Sequence, residues 1–364
     1  MILVDDRFMQ AALAFGRRGL GHTATNPSVG ALVVKDGILI GRGFTQSGGR
    51  PHAEPVALAQ AGADARGATL YVTLEPCSHH GKTPPCVEAI IAAGITKVVS
   101  ALADPDPRVS GRGHAQLRSA GLEVIEGLGA EAARRDHIGH ICRVTRHRPM
   151  LTLKLARTAD GFAGATPGAP RLMISGPASQ NVTHMQRAMH DAVMIGIGTV
   201  LADDPQLSVR LPGMAARQPM RIVLDAGAKL PEAARLADGT APVLLICGEA
   251  AAEARLAFWR ARGLEVVRVG LAQGRLDLAA VADVLFSHGL SRVFCEGGPR
   301  LARRLLAAGL VDQLRLITNQ ELVAGAGIKV LDEDGEGLLA GDFRRYDHMR
   351  LGPDCVDDFE KRED

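Results

Sequence analysis

Short β-branched runs such as TLYVTL at 69–74 and MLTLKLA at 150–156 alternate with helix-period apolar stretches almost throughout the 364 residues. Buried strands separated by amphipathic helices fold as an α/β protein, so this alternation excludes all-helical bundles and β-sandwiches. At about 100–200 residues per domain, the length suits two domains. Segment 130–149 is helical, then basic, and closes on Pro149 before the next strand, so the boundary is expected between 147 and 148, giving domains 1–147 and 148–364. In the first part the pattern predicts a helix over 6–18, strands at 29–35 and 38–44 joined by Asp36-Gly37, and a helix from His52 to Ala61. A strand at 69–74, a helix at 84–93, a strand at 97–103, a helix at 112–120 and a short strand at 122–125 follow. The second part predicts strands near 150–156, 192–196, 220–225, 242–246, 264–268, 291–295 and 312–317, with long Pro/Gly-rich loops at 164–177 and 211–219. The acidic tail from Asp354 is expected to fray.

Lys+Arg 42 against Asp+Glu 40 leaves a net charge of +2, and aromatic residues are 3% of the chain, so neither a basic nucleic-acid face nor a base-stacking platform is advertised. Small-molecule partners are expected, with no membrane partner, and the composition leaves room for a homo-oligomer. No apolar run reaches the roughly 18 residues of a transmembrane helix, and Asp5, Asp6 and Arg7 stand where a signal peptide would be apolar. A cytoplasmic location is expected. There, sparse cysteines point to metal or catalysis before disulfides, and Cys77 and Cys86 are the close pair among the six.

His52-Ala53-Glu54 opens a helix, and Pro76-Cys77 follows a strand with Cys86 nine residues on. One imidazole and two thiolates make a three-ligand zinc site with a fourth position open to water, the pattern of catalytic zinc. Glu54, two residues from the ligand His52, can reach that water without being a ligand and can pass its proton to a leaving amine. Zinc deaminases of nucleobases use this H-x-E and P-C-x-x-C plan. Here the second interval is SHHGKTPP, eight residues instead of two; His79 and His80 within it are assigned to the substrate side or to the ligands' support, since either as a ligand would close the open position. Taken alone, HAE is more often an ordinary helix start; the later LEPC and second Cys decide for metal.

In the second part, VFCEGGPRLARRLL supplies a strand, a Gly297-Gly298 turn and a helix whose N-terminal amides can face an anion. Arg300, Arg303 and Arg304 follow closely enough to favour a 2′-phosphate, hence NADPH, although basic residues on an exposed helix face are common. GIGTV lacks the third glycine of a Rossmann fingerprint.

HAEPVALAQAG, GATLYVTLEPCSHHGKTPPC, DPDPRVSGRG and TNPSVGALVVKDG, with LKLARTADG, DAVMIGIGTVLADDPQLSVR and CEGGPRLARRLLAAGLVDQL later, resemble the bifunctional deaminase–reductase family of riboflavin biosynthesis. The resemblance spans nearly the whole chain. It implies a cytidine-deaminase-like three-layer domain followed by a dihydrofolate-reductase-like domain. It further implies hydrolytic deamination of 2,5-diamino-6-(5-phosphoribosylamino)pyrimidin-4-one, then NADPH-dependent reduction of the ribosyl side chain to ribityl. His52, Cys77 and Cys86 match the zinc ligands and Glu54 the proton shuttle. Asn26, Lys82 and Thr83 match substrate contacts of the deaminase, and Lys154, Arg187, Arg210 and Glu296 those of the reductase. Ala156, Leu172, Thr199, Asp203 and the run Gly298, Pro299, Arg300, Leu301, Ala302, Arg303 and Arg304 match NADPH contacts. Lys154 and Glu296 suit the hydroxyls of the opening sugar, and Arg187 with Arg210 suits its phosphate. Four positions depart from the family: Thr45 replaces a His, Asp106 an Asn, Leu172 an aromatic residue and Ala226 a Ser.

Two other classes are weighed against this. A nucleic-acid base deaminase with a C-terminal RNA-binding module would want C-x-x-C, a basic surface and more than one Trp and two Tyr. A non-catalytic zinc-stabilised binding protein gives Glu54 no task beside an open metal position.

Overall fold

The computed structural model describes residues 2–81, 83–165, 174–322 and 327–362, and it divides into two compact units, Met1–His147 and Arg148–Asp364. Unit 1 carries β1 (Gly30–Lys35), β2 (Ile38–Phe44), β3 (Thr69–Val72), β4 (Lys97–Ser100) and β5 (Glu123–Glu126) in one sheet of order β2-β1-β3-β4-β5. β1 runs antiparallel to β2 and β3, and β3, β4 and β5 are parallel. Asp36 and Gly37 both have positive φ, 51° and 77°, the backbone that a tight two-residue hairpin loop requires. The helices are α1 (Ile2–Gly16), α2 (Ala53–Ala61), α3 (Cys86–Ala92), α4 (Arg112–Ser119) and α5 (Ala130–Arg146). Alternation along β1 sorts them into layers. Ala31 and Val33 pack with Ala57 of α2, Ile90 of α3 and Leu117 of α4, while Leu32 and Val34 pack with Met9 of α1 and Ala133 of α5. The sheet therefore lies between two helical layers.

Unit 2 contains β6 (Met150–Thr158), β7 (Phe162–Ala165), α6 (Pro177–Ala188), β8 (Ala192–Gly196), α7 (Ile197–Asp203), β9 (Met220–Leu224) and β10 (Val243–Gly248). It continues through α8 (Glu253–Ala261), β11 (Glu265–Val269), the ribbon β12 (Leu271–Ala272) and β13 (Arg275–Leu276), α9 (Leu278–Ser287), β14 (Arg292–Cys295) and α10 (Pro299–Ala307). The last elements are β15 (Gln313–Asn319), β16 (Gly327–Lys329), α11 (Glu333–Asp342), β17 (Phe343–Leu351) and β18 (Asp354–Lys361). Nine strands form one sheet of order β11-β10-β9-β8-β14-β6-β15-β18-β17. Its two faces have separate cores: Leu151, Leu153 and Cys295 lie under α9 and α10, and Val193, Val223 and Phe294 lie with Trp259 of α8. The chain steps from β6 across to β8, runs outward to β11, and returns with β14 inserted between β8 and β6. That reversal is the topological switch where open α/β sheets bind ligands.

The C-terminal segment departs from expectation. Residues from Asp354 do not fray but form β18, an inner strand paired on both sides. Its acidic residues read as a tail in sequence, yet every second one points inward to a fixed partner. Arg315 donates to both Asp358 oxygens at 2.6 Å, and Asn319 donates to Asp354 at 2.7 Å. Among the described residues no helix is long and apolar enough to cross a membrane.

Candidate active sites

In unit 1, the turn after β3 and the start of α2 and α3 bring three ligand atoms together. His52 caps α2 in extended conformation, Cys86 is the first residue of α3, and Cys77 lies on the turn between β3 and α3. His52 Nδ1 stands 3.3 Å from Cys86 Sγ and 3.7 Å from Cys77 Sγ, and the three ligand atoms lie within 4.8 Å of one another. From Zn–N and Zn–S lengths of about 2.1 and 2.3 Å, a tetrahedral centre needs N···S separations of about 3.6 Å, so the donor set fits zinc. The hydrogen bond Cys77 accepts from Cys86 lowers its thiol pKa to about 4 against the opposing effect of burial, with His52 adding in the same direction.

Glu54 is 3% exposed, in the first turn of α2. Burial first, then the negative Cys77, raises its carboxyl to about 7, with His52 pulling the other way. It is therefore able to hold or give up a proton near neutrality.

Around this centre, Asn26 packs on the loop that leads to His52. A Cβ at Gly49 would come within 2.3 Å of the Asn26 amide, and Gly49 has φ +86°, so only glycine permits this approach. Thr83 is exposed and accepts a 2.7 Å hydrogen bond from Arg50 Nη1. Lys82 lies outside the described residues. Thr45 accepts from the Val29 amide at 2.9 Å and is 1% exposed, so it serves the fold. Asp106 carries no unbalanced charge, because Arg108 grips it through Nε and Nη2.

Sequence reading passed over Glu75, the acidic residue of LEPC. Its buried carboxylate accepts from the amides of Gly111 and Gly113 at 2.9 Å, Asp104 at 3.2 Å and His114 at 3.3 Å. Glu75 thereby ties the loop between β4 and α4 to the turn that presents Cys77. Its adjacency to Pro76-Cys77 was the available signal.

In unit 2, a cleft of about 1490 Å³ opens at the carboxyl ends of β6, β8 and β14. Single small-ligand pockets span roughly 300–1,000 Å³, so this one has room for a dinucleotide beside a second ligand. Lys154, Ala156, Arg187, Thr199, Asp203, Arg210 and Glu296 line it, as do Gly298, Pro299, Arg300, Leu301, Arg303 and Arg304. Ala302 does not: it is fully buried in the core under α10, and its amide donates to Gly298 O at 3.1 Å. Leu172 lies outside the described residues. Ala226 also lines the cleft.

Arg187 Nε and Nη2 donate to the two Glu296 oxygens at 2.6 and 2.9 Å, and each side chain is 11% exposed. Burial would raise the Glu296 pKa, but Arg187 and then Lys154 outweigh it and hold the carboxyl below its usual range. Desolvation lowers the Lys154 pKa, with Arg187 adding and Glu296 and Asp203 opposing. At the Gly297-Gly298 turn, Gly298 N donates to Thr199 Oγ1 at 3.2 Å and Leu301 N to Gly298 O at 3.0 Å, while Pro299 has no N–H. These bonds leave the Arg300 amide for an anion. Of the three arginines, Arg303 donates to Asp332 at 2.7 Å and Arg304 to Leu276 O at 2.6 Å. Arg275, on the β12–β13 ribbon, and His184 also line the cleft. Neither has a local sequence signal, since the fold alone brings them there.

Comparison with known proteins adds a second, independent line. The RibD C-terminal domain family matches residues 149–354, and the cytidine and deoxycytidylate deaminase zinc-binding region matches residues 3–102. The riboflavin biosynthesis protein RibD of Aquifex aeolicus is 37% identical over 341 residues, covering 93% of this chain and 90% of that protein. RibD of Escherichia coli is 36% identical, covering 96% and 97%. Among solved structures, a Thermotoga maritima diaminohydroxyphosphoribosylaminopyrimidine deaminase/5-amino-6-(5-phosphoribosylamino)uracil reductase superposes with TM-score 0.84 at 32% identity, covering 99% of both chains. Acinetobacter baumannii RibD gives 0.85 at 33%, covering both chains completely.

Proposed function

The chain belongs to the RibD family, the bifunctional deaminase–reductases of riboflavin biosynthesis, and from that premise we propose how its residues divide the two reactions. Residues 1–147 carry the deaminase and 148–364 the reductase. The single observation that supports the first half is the His52, Cys77 and Cys86 cluster with Glu54 buried beside it.

His52 Nδ1 and the two sulfurs would hold zinc, which when bound would supply a Lewis acid that makes water a nucleophile at neutral pH. Glu54, buried beside the cluster, would orient the attacking water and take its proton on a carboxylate oxygen. The water oxygen bonds to the amidine carbon of 2,5-diamino-6-(5-phosphoribosylamino)pyrimidin-4-one, and Glu54 returns the proton to the amine that leaves as ammonia. Asn26 and Thr83 hold the substrate, and Lys82 adds a positive charge to the same task.

In the second half, Ala156, Leu172, Thr199, Asp203, the Gly298–Arg300 turn and Leu301, Arg303 and Arg304 of α10 would hold NADPH, which would supply the hydride. Lys154 and Glu296 contact the hydroxyls of the ribosyl chain as its ring opens, with Lys154 the proton donor favoured by its lowered pKa. Arg210 meets the phosphate, while Arg187 holds Glu296 in place. A reducing cytoplasm suits two thiols that must stay unoxidised to bind metal. The test is incubation of zinc-loaded protein with the diaminopyrimidinone phosphate, with and without NADPH. Ammonia should appear in both, and a product heavier by two hydrogens only with NADPH.

A further inference from the structure

Arg50 stands two residues before His52, and its Nη1 lies 2.7 Å from Thr83 Oγ1 and 3.3 Å from His52 Nε2. His52 faces both sulfurs with Nδ1. A neutral imidazole that ligates through Nδ1 carries its hydrogen on Nε2, and a guanidinium has donors only. Two donors therefore confront each other at 3.3 Å once metal is in place, and they need a common acceptor. Among the described residues no carboxylate or carbonyl bonds either group. Thr83 sharpens the requirement, because its oxygen already accepts from Arg50 and its own hydroxyl hydrogen is left to donate. Three donors thus converge beside the metal centre, one of them permanently charged.

Resting on the deaminase reading above, we propose that Arg50 and Thr83 seat the 5′-phosphate of the deaminase substrate and make the site select phosphorylated over dephosphorylated pyrimidines. The phosphate is the substrate's anionic group, and the planar guanidinium fork matches it. The position also suits: Arg50 meets the imidazole nitrogen that faces away from the two sulfurs, beside the ligand cluster and outside it. Arg50 is a specificity residue and takes no part in proton transfer.

The test uses the full-length, zinc-loaded protein carrying Glu54→Gln, so that substrate is bound without being turned over. Calorimetric titration with the diaminopyrimidinone riboside 5′-phosphate, and with the same compound lacking phosphate, is compared with and without Arg50→Ala. Loss of one charge-assisted pair should weaken the phosphorylated ligand by about tenfold to a hundredfold and leave the dephosphorylated one within about twofold. Thr83→Val, at an exposed position, should give a smaller loss with the same selectivity, and it decides the matter if Arg50→Ala sheds zinc. Equal loss for both ligands, or none for either, overturns the proposal. Failure of the deaminase reading would look different: protein with Glu54 intact would release no ammonia from either compound.

Discussion

Arg187 holds Glu296 by two parallel hydrogen bonds, at 2.6 and 2.9 Å, across the floor of the reductase cleft. The guanidinium also donates to Ser208 O at 2.9 Å, so three of its bonds are spent within the protein. Removing one partner of such a buried pair leaves an uncompensated charge, costing about 3–5 kcal/mol. Arg187→Met should lower the melting temperature of unit 2, and the Arg187→Met/Glu296→Met double variant should be less destabilised than the single changes summed. Strict additivity in that cycle would show the two residues to be uncoupled.

Glu54→Gln should keep zinc, since Glu54 is not among the three clustered ligands, while ammonia release falls by about 10²–10⁴-fold. Metal content and ammonia are measured on the same preparation. Full activity in the zinc-loaded variant would assign the proton transfer to another group.

Arg303 and Arg304 are already engaged by Asp332 and Leu276 O, whereas Arg300 lines the cleft at the Gly297-Gly298 turn with no hydrogen-bond partner for its amide among the described residues. Arg300→Ala should therefore weaken NADPH binding by about tenfold, with little change for NADH, and more than Arg303→Ala does. Fluorescence titration of both dinucleotides measures this; a larger effect from Arg303→Ala would reverse the assignment.

Arg108 holds the Asp106 carboxyl at about 2, below the value near 3.9 of an unfolded chain. A depressed carboxyl pKa stabilises the fold above about pH 4, and that contribution is lost as pH falls through 2. Carbon-detected NMR should find Asp106 titrating near 2 and moving up toward 4 in Arg108→Ala. An unchanged midpoint in the variant would remove Arg108 as the cause.

Much of this was legible in the chain where local chemistry dictates structure. Asp36-Gly37 encodes its hairpin because few other pairs tolerate two positive φ values, and the HAE, LEPC and Cys86 spacing encodes a metal cluster because thiolates and imidazole side by side have few other uses. What escaped was set by distant partners. DCVDDFEK reads as a solvated tail until Arg315 and Asn319, some 40 residues away along the chain, neutralise its inward face. The Arg187–Glu296 bond spans 109 positions, a pairing that neither residue's local sequence announces. Arg275 reaches the cleft only through a ribbon whose sequence carries no ligand signal.

The most direct measurement is a stoichiometric time course. Zinc-loaded protein is mixed with a limiting amount of 2,5-diamino-6-(5-phosphoribosylamino)pyrimidin-4-one and excess NADPH, and ammonia is followed together with absorbance at 340 nm. One ammonia and one NADPH oxidised per substrate, with ammonia appearing first, is the expected result. NADPH oxidation without ammonia, or ammonia with no oxidation beyond background, would contradict two sequential activities in one chain.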